Sequence, residues 1–111
     1  MQFQEIEQKT KKYKNKIYRA LASKVKVFKE DWISDLKHEW IEEESNMPFN
    51  EFYQYYIQEY MEFYLHHYLL RLICIKLDIK FSDIDVLSVK EKNKLTEPFI
   101  LKFRENYDYV D

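Results

Sequence analysis

The chain has 111 residues, a formal net charge of −2 and no glycine. That length suits one domain with its own hydrophobic core, and a hydrophobic share of 46% excludes a disordered tail. Because tight hairpins favour glycine at positive φ, its absence argues against a sheet-rich protein. We therefore predict an all-α fold.

Targeting signals are not evident in the sequence. The amino terminus lacks the basic start and apolar core of a signal peptide, and the longest apolar run is far shorter than a bilayer span requires. The single cysteine, Cys74, lies inside an apolar run, where it is expected to be a small buried hydrophobe. These features predict a cytoplasmic protein that does not enter a membrane.

The first predicted helix covers residues 3 to about 28 and is basic. Nine Lys or Arg residues and no acidic residue lie between Lys9 and Lys29. A cationic surface of this kind can follow a nucleic-acid backbone, although no zinc pattern, helix-turn-helix or RNA-recognition motif accompanies it. Nucleic-acid binding is therefore the alternative function, and its predicted residues are Lys11, Lys12, Lys16, Arg19 and Lys26.

A second helix is predicted over about 32 to 44, with Asp31 as its N-cap. We expect a break or a kink near Glu30, because a straight helix would carry its apolar stripe away from Trp32. The segment that follows is acidic, with seven Glu and no Lys or Arg between His38 and Phe63. This segment is either a binding surface or a partner for the basic helix of the same chain.

The stretch from Pro48 to Asp78 predicts one long central helix, with Pro48 in its first turn. Its first half carries Tyr53, Tyr56 and Tyr60 on one face, and His67 and Arg71 continue that stripe. Tyrosine is enriched at binding hot spots, but a bundle can also bury such a stripe and bond its hydroxyl groups. For residues 64 to 71 we expect burial, with Arg71 in an ion pair.

Two shorter helices are predicted after the central one. Ser82 and Asp85 form an approximate capping box for a helix near 83 to 92. Pro98 then predicts the start of a last helix, with a loose tail from about 107. The sequence thus predicts a single domain, residues 1 to 111, in which four or five helices pack around the helix at about 48 to 78.

Catalytic signatures are lacking, since there is no nucleophile elbow, glycine-rich phosphate loop or zinc-protease motif. Glu62 and His66 do not supply the ligand set of a di-iron bundle. We therefore expect no catalytic residues, no metal and no cofactor, and predict that the protein is not an enzyme.

The leading hypothesis is a small protein-binding module, such as an adaptor, an inhibitor or an immunity-type protein. It would dock a basic protein, for example one that handles nucleic acids, or a second copy of itself in a homodimer. The tyrosine face and the adjacent acidic surface would form the contact. The predicted partner-binding residues are Tyr53, Tyr56, Tyr60, Glu43, Glu44 and Glu51.

Overall fold

The structure is a computed structural model that describes residues 2 to 106, without the side chains of Lys26 and Asn106. The loose tail predicted from about 107 lies outside the described residues. The described chain contains no strand, and its helices are α1 (Phe3–Lys12), α2 (Lys14–Glu42), α3 (Phe49–Leu77), α4 (Phe81–Asp85) and α5 (Val89–Asn106). The all-α prediction is confirmed, and the long helix predicted at about 48 to 78 is α3.

α3 is the central helix, and all four other helices pack against it. Its buried side chains include Ile57, Met61, Leu65, Leu69 and Ile73, which recur every four residues and form much of the hydrophobic core. A row with this spacing follows one ridge of a helix, the surface that neighbouring helices pack against. The molecule is elongated, with principal extents of 49 × 26 × 19 Å.

α2 and α3 form an antiparallel pair. The ring of Phe28, in the middle of α2, lies 5.0 Å from the ring of Tyr68, late in α3. Trp40, near the end of α2, lies 5.5 Å from Phe49 at the start of α3. The short loop between the helices enforces this direction, as expected for neighbours in a bundle.

The break predicted near Glu30 is wrong, because α2 continues from Lys14 to Glu42. The apolar stripe of α2 shifts around the helix at Trp32, and aromatic side chains of α3 pack against it there. Trp32 therefore remains buried, with its ring 5.6 Å from that of Tyr64. The interruption instead falls at Tyr13, whose φ of −102° and ψ of 15° depart from helical values. It divides the predicted first helix into α1 and the start of α2.

The carboxyl-terminal helices also differ from the prediction. The capping box is formed by Ser88 and Glu91: the Glu91 amide donates to Ser88 Oγ at 3.1 Å, and the Ser88 amide donates to Glu91 Oε1 at 3.0 Å. This box starts α5 at Val89. α4 accordingly ends at Asp85, and Pro98 lies inside α5 rather than at its start.

Two non-glycine residues adopt positive φ at helix ends: Glu44 with φ 49° after α2, and Asp78 with φ 53° after α3. At both ends an amide reaches back to a carbonyl five residues earlier, from Ser45 to Trp40 at 3.4 Å and from Ile79 to Cys74 at 3.1 Å. This is the hydrogen bond of a Schellman motif, which usually has glycine at the left-handed position.

None of the helices in the described part of the chain combines the length and apolar character needed to cross a bilayer.

Candidate functional site

The central helix leaves one of its faces uncovered. Glu59, Phe63, His67, Arg71 and Ile75 follow one another at intervals of four residues, and each is exposed to solvent. Side chains at that spacing are neighbours on a helix surface, so they form a continuous row. Phe63 is 67% exposed and Ile75 is 73% exposed. Large apolar groups at such exposure are typical of interaction surfaces when they are grouped.

A cleft of about 340 Å³ opens beside this row, between α2 and α3. We call it the aromatic cleft. The apolar part consists of buried Leu36 and the rings of Tyr56, Tyr60 and Phe63, and exposed carboxylates stand at its edges. Those carboxylates belong to Glu39 and Glu59. The cleft therefore offers aromatic faces beside negative charge, an arrangement that attracts guanidinium and ammonium groups.

Tyr60 joins the two walls of the aromatic cleft. Its hydroxyl donates a hydrogen bond to Asp35 Oδ2 at 2.6 Å. Burial, and then the hydrogen bond and charge of Asp35, raise the pKa of the Tyr60 hydroxyl above its usual value. The hydroxyl group is thus engaged within the fold, and Tyr60 offers its ring to the cleft.

The other two predicted tyrosines lie in different surroundings. Tyr53 is half-buried, and its ring lies 6.1 Å from that of Phe49. Tyr56 is 36% exposed and rests on Phe52, 4.6 Å away, and on Tyr55, 4.7 Å away. Of the tyrosines predicted to bind a partner, Tyr56 and Tyr60 line the aromatic cleft and Tyr53 does not.

The predicted acidic residues Glu43, Glu44 and Glu51 are all exposed, around the α2–α3 loop. They lie outside the lining of the aromatic cleft. The loop is held in place by Trp40, whose Nε1 donates to the Met47 carbonyl at 2.6 Å. Glu43 and Glu44 therefore stand on a loop whose conformation is fixed by a hydrogen bond.

A second cleft of about 310 Å³ lies on the same face and shares Tyr60 and Phe63 with the aromatic cleft. The rest of its lining consists of Tyr64, His67, Tyr68 and Arg71. The expected burial of Arg71 is wrong, since its side chain is exposed. Among the described residues, no carboxylate lies within ion-pair distance of its guanidinium group. Arg71 belongs to the exposed row, which recurs every four residues along α3, although its neighbours in sequence are leucines.

His66 is half-buried. Its Nδ1 is hydrogen-bonded to Thr96 Oγ1 of α5 at 2.7 Å. Burial, and then the charges of His67 and Lys92, lower the pKa of the His66 imidazole. This histidine therefore connects α3 to α5.

The cations predicted for nucleic-acid binding lie at the end of α1 and in the first half of α2. Lys12 and Lys16 place their Nζ atoms 5.6 and 5.7 Å from the ring centroid of Tyr13, and Lys11 pairs with Glu7 at 4.0 Å. Arg19 is exposed, and the Lys26 side chain lies outside the described residues.

The basic and acidic ends of α2 are too far apart to neutralise each other. Arg19 and Glu42 lie on one continuous helix, so about 34 Å separates them at a rise of ~1.5 Å per residue. That distance is several times the Debye length of roughly 8 Å at physiological salt. Arg19 and the lysines before it are therefore electrostatically separate from the Glu42–Glu44 end of α2, and direct pairing between these two groups is excluded.

The charges of α2 also oppose its helix dipole. Its first turn has no acidic residue and its last turn has no basic one, while Lys14 and Lys16 lie near its start and Glu39 and Glu42 near its end. Charges in this arrangement destabilise a helix, by about 0.3–1 kcal/mol each at low salt. These charges therefore reduce the stability of α2.

The described residues give little support for metal binding or for a reactive cysteine. No group of three His, Cys, Asp or Glu side chains is placed to hold a metal ion there. Cys74 is buried, and burial, followed by the charge of Asp83, raises the pKa of its thiol. A raised thiol pKa lowers the thiolate fraction and hence the reactivity of a cysteine.

Four residues of the aromatic cleft are not among the predicted partner-binding residues, namely Leu36, Glu39, Glu59 and Phe63. Glu59 and Phe63 follow Tyr56 and Tyr60 by three residues, a helical spacing that was available in the sequence. Glu39 belongs to α2, and its position opposite Tyr60 depends on the register between the two helices.

Comparisons of the chain with protein-family models, with curated proteins and with solved structures give no significant match.

Proposed function

We propose that this chain is a non-enzymatic protein-binding module that receives a basic segment of another protein in the aromatic cleft. The carrying observation is the composition of that cleft, in which Tyr56, Tyr60 and Phe63 lie beside Glu39 and Glu59. The protein would act as an adaptor or as an inhibitor, the class to which immunity-type proteins belong.

An arginine side chain suits this geometry on two counts. Its planar guanidinium group stacks on aromatic rings such as that of Phe63, which contributes roughly 0.5–2 kcal/mol depending on desolvation. The same group forms charge-assisted hydrogen bonds with carboxylates such as Glu39 and Glu59. These residues line the same cleft, which supports an arginine side chain as its occupant.

The acidic loop has a separate role in the proposal. Glu43, Glu44 and Glu51 lie outside the cleft, so they would act over distance and draw a basic partner towards it. Charge complementarity of this type raises association rates by roughly 10–10³-fold and weakens as salt increases.

The test uses a synthetic peptide of alternating Arg and Ala residues as the probe, with binding followed by fluorescence anisotropy. We expect the double variant Glu39→Gln, Glu59→Gln to weaken binding by about tenfold or more, equivalent to ~1.4 kcal/mol. Phe63→Ala should weaken it similarly without unfolding the protein, because the side chain is 67% exposed. The matched control is Glu5→Gln, Glu105→Gln, which removes two exposed carboxylates elsewhere. Equal binding by the test and control variants would refute the proposal.

A second copy of the chain is the competing occupant of this face. Sedimentation equilibrium at low and high protein concentration distinguishes the two cases. A monomer at both concentrations supports a heterologous partner. A dimer that Phe63→Ala converts to monomer would show that the exposed row is covered by another copy, and the proposal would then be replaced by homodimerisation.

Nucleic-acid binding through Lys11, Lys12, Lys16 and Arg19 remains a second candidate. The observation that favours it is the pair of ammonium groups flanking Tyr13, which resembles the alternation of cations and aromatic rings in single-strand binding proteins. Retention on immobilised single-stranded DNA at low salt, lost when Lys12, Lys16 and Arg19 become Glu, would support it. No retention at low salt would exclude it.

A further inference from the structure

A groove with an apolar interior and a cationic rim lies at the opposite end of the molecule from the acidic loop. It opens between α5 and the junction of α1 with α2 and encloses about 210 Å³. Residues far apart in sequence form it, from Glu7 to Tyr18 on one side and from Lys94 to Lys102 on the other. We call it the lysine-rimmed groove.

The interior of this groove has few polar groups to offer. Leu95, Phe99 and Thr10 are buried within it. The Thr10 hydroxyl already donates to the Ile6 carbonyl at 2.7 Å. The ring of Tyr18 and the side chain of Pro98 complete its apolar walls. An occupant would therefore be held inside by apolar contact, and polar recognition would be confined to the rim.

The rim carries four lysines, Lys11, Lys14, Lys94 and Lys102, and one carboxylate, that of Glu7. Glu7 is 4.0 Å from Lys11, and Lys102 Nζ lies 4.2 Å above the ring of Tyr18. Lys14 and Lys94 are exposed, on opposite sides of the groove. One carboxylate against four ammonium groups leaves a strong excess of positive charge around the opening.

The helical pattern of α5 explains how the rim and the interior meet. Leu95, Pro98 and Phe99 occupy one face of the helix, and Lys94 and Lys102 bracket them along the axis. Pro98 has no backbone N–H, so the Lys94 carbonyl lacks its usual intrahelical donor.

We propose that the lysine-rimmed groove binds a small amphipathic organic anion, with a single ring or short alkyl chain in the interior and a carboxylate or phosphate at the rim. The groove volume is below the roughly 300–1,000 Å³ of sites for drug-sized ligands. The apolar part of the anion is therefore limited to a single ring or a short alkyl chain. The rim supplies charge complementarity, and the interior supplies the apolar contact that inorganic anions cannot use.

Binding is tested by NMR titration of the intact chain with octanoate and with phenyl phosphate. The proposal expects shifts at the methyl groups of Leu95 and the ring of Phe99 for both compounds. Octanol tests the need for charge and inorganic phosphate tests the need for an apolar part, and each should bind at least about tenfold more weakly. Octanol binding as tightly as octanoate, or inorganic phosphate as tightly as phenyl phosphate, would overturn the proposal.

The matched variants are Lys14→Glu, Lys94→Glu in the rim and Lys37→Glu, Lys80→Glu elsewhere, all at exposed positions with the same change in net charge. The rim variant should lose octanoate binding by about tenfold or more, whereas the control should retain it. Lys14→Glu places an acid in the first turn of α2, where it favours the helix dipole, so the loss would not arise from a weakened fold. Equal binding by the two variants would refute the proposal.

Single-stranded DNA is tested as a competing ligand, because it would also bind through the lysines of the rim. An oligonucleotide that binds through Lys14 and Lys94 while octanoate does not would replace the proposal with nucleic-acid binding at this end. Octanoate binding that the oligonucleotide cannot displace would support a site for small anions.

Discussion

Tyr60 and Asp35 connect the two longest helices, through a hydrogen bond of 2.6 Å from the phenol hydroxyl of α3 to the carboxylate of α2. The bond lies beside the aromatic cleft, whose walls come from the same two helices. It therefore fixes the position of Glu39 relative to Phe63, as well as contributing to the packing of α2 on α3.

Tyr60→Phe should reduce the free energy of unfolding by about 1 kcal/mol, the typical net contribution of one hydrogen bond. The ring contacts remain, so the loss reports the hydroxyl alone. Urea denaturation followed by circular dichroism provides the measurement. Asp35→Ala should cost a similar amount, and the double variant should cost little more than either single one. Full additivity of the two losses would show that the bond contributes nothing to stability.

Alkaline pH should destabilise the fold partly through Tyr60 and Tyr68. The pKa values of both hydroxyls are raised, chiefly by burial. The unfolded chain, in which tyrosine has a pKa of ~10, then loses these protons first. The stability they contribute is complete below pH ~10 and is lost as pH rises above it.

Tyr60→Phe and Tyr68→Phe should each make the fall in unfolding free energy above pH ~10 less steep. Urea denaturation at a series of alkaline pH values measures the slope. Tyr55→Phe is the control, because that tyrosine is 72% exposed. The same slope in all three variants would contradict the prediction.

Acidic pH should destabilise the fold through His66. The pKa of its imidazole is lowered, first by burial, so between the lowered value and ~6.5 the unfolded chain binds the proton more readily. Stability therefore falls as pH drops below ~6.5. His66→Gln should reduce the fall in unfolding free energy between about pH 7 and pH 5, whereas His38→Gln, at an exposed position, should leave it unchanged. An unaltered pH dependence in His66→Gln would be evidence against this account.

The central helix is the part of the fold that the sequence predicts best. Its observed bounds, Phe49 and Leu77, lie within one residue of the prediction. Pro48 defines the start, and the dense run of apolar residues after Leu65 predicts a helix with a large buried surface, although His67, Arg71 and Ile75 remain exposed. These signals lie within the helix's own sequence, so they can be recognised without knowing how the other helices pack.

Tertiary contacts explain where the prediction fails. α2 continues through Glu30 because Phe28 and Trp32 meet the rings of Tyr64 and Tyr68, 5.0–5.6 Å away. Those contacts join residues more than 30 positions apart, and no periodicity within α2 reports them. The aromatic cleft was missed in part for the same reason, since it depends on how Glu39 of α2 is aligned with α3. The capping box at Ser88 was present in the sequence, but Ser82 and Asp85 offered a similar pattern nearby.

Ser88→Ala should destabilise the protein by about 1 kcal/mol, the usual cost of losing an N-cap. Ser88 accepts a hydrogen bond from the Glu91 amide, and its own amide donates to the Glu91 side chain. In the Ser88→Ala variant, amide hydrogen exchange should accelerate more in the first turn of α5 than in α3. Ser82→Ala is the control, since the predicted box at that position does not form. Equal losses in the two variants would argue against a specific role for Ser88.

Glu44→Gly should stabilise the protein by roughly 1 kcal/mol, because glycine adopts a left-handed conformation without the steric cost borne by other residues. Glu44 has φ 49° at the end of α2, where its negative charge also opposes the helix dipole. Glu44→Ala separates the two causes: it removes the charge but retains the steric cost, so it should gain only a few tenths of a kcal/mol. Urea denaturation of both variants measures the difference, which isolates the cost of the left-handed backbone. If alanine stabilised the protein as much as glycine does, the charge alone would account for the gain. The strain at Glu44 would then be absent in solution.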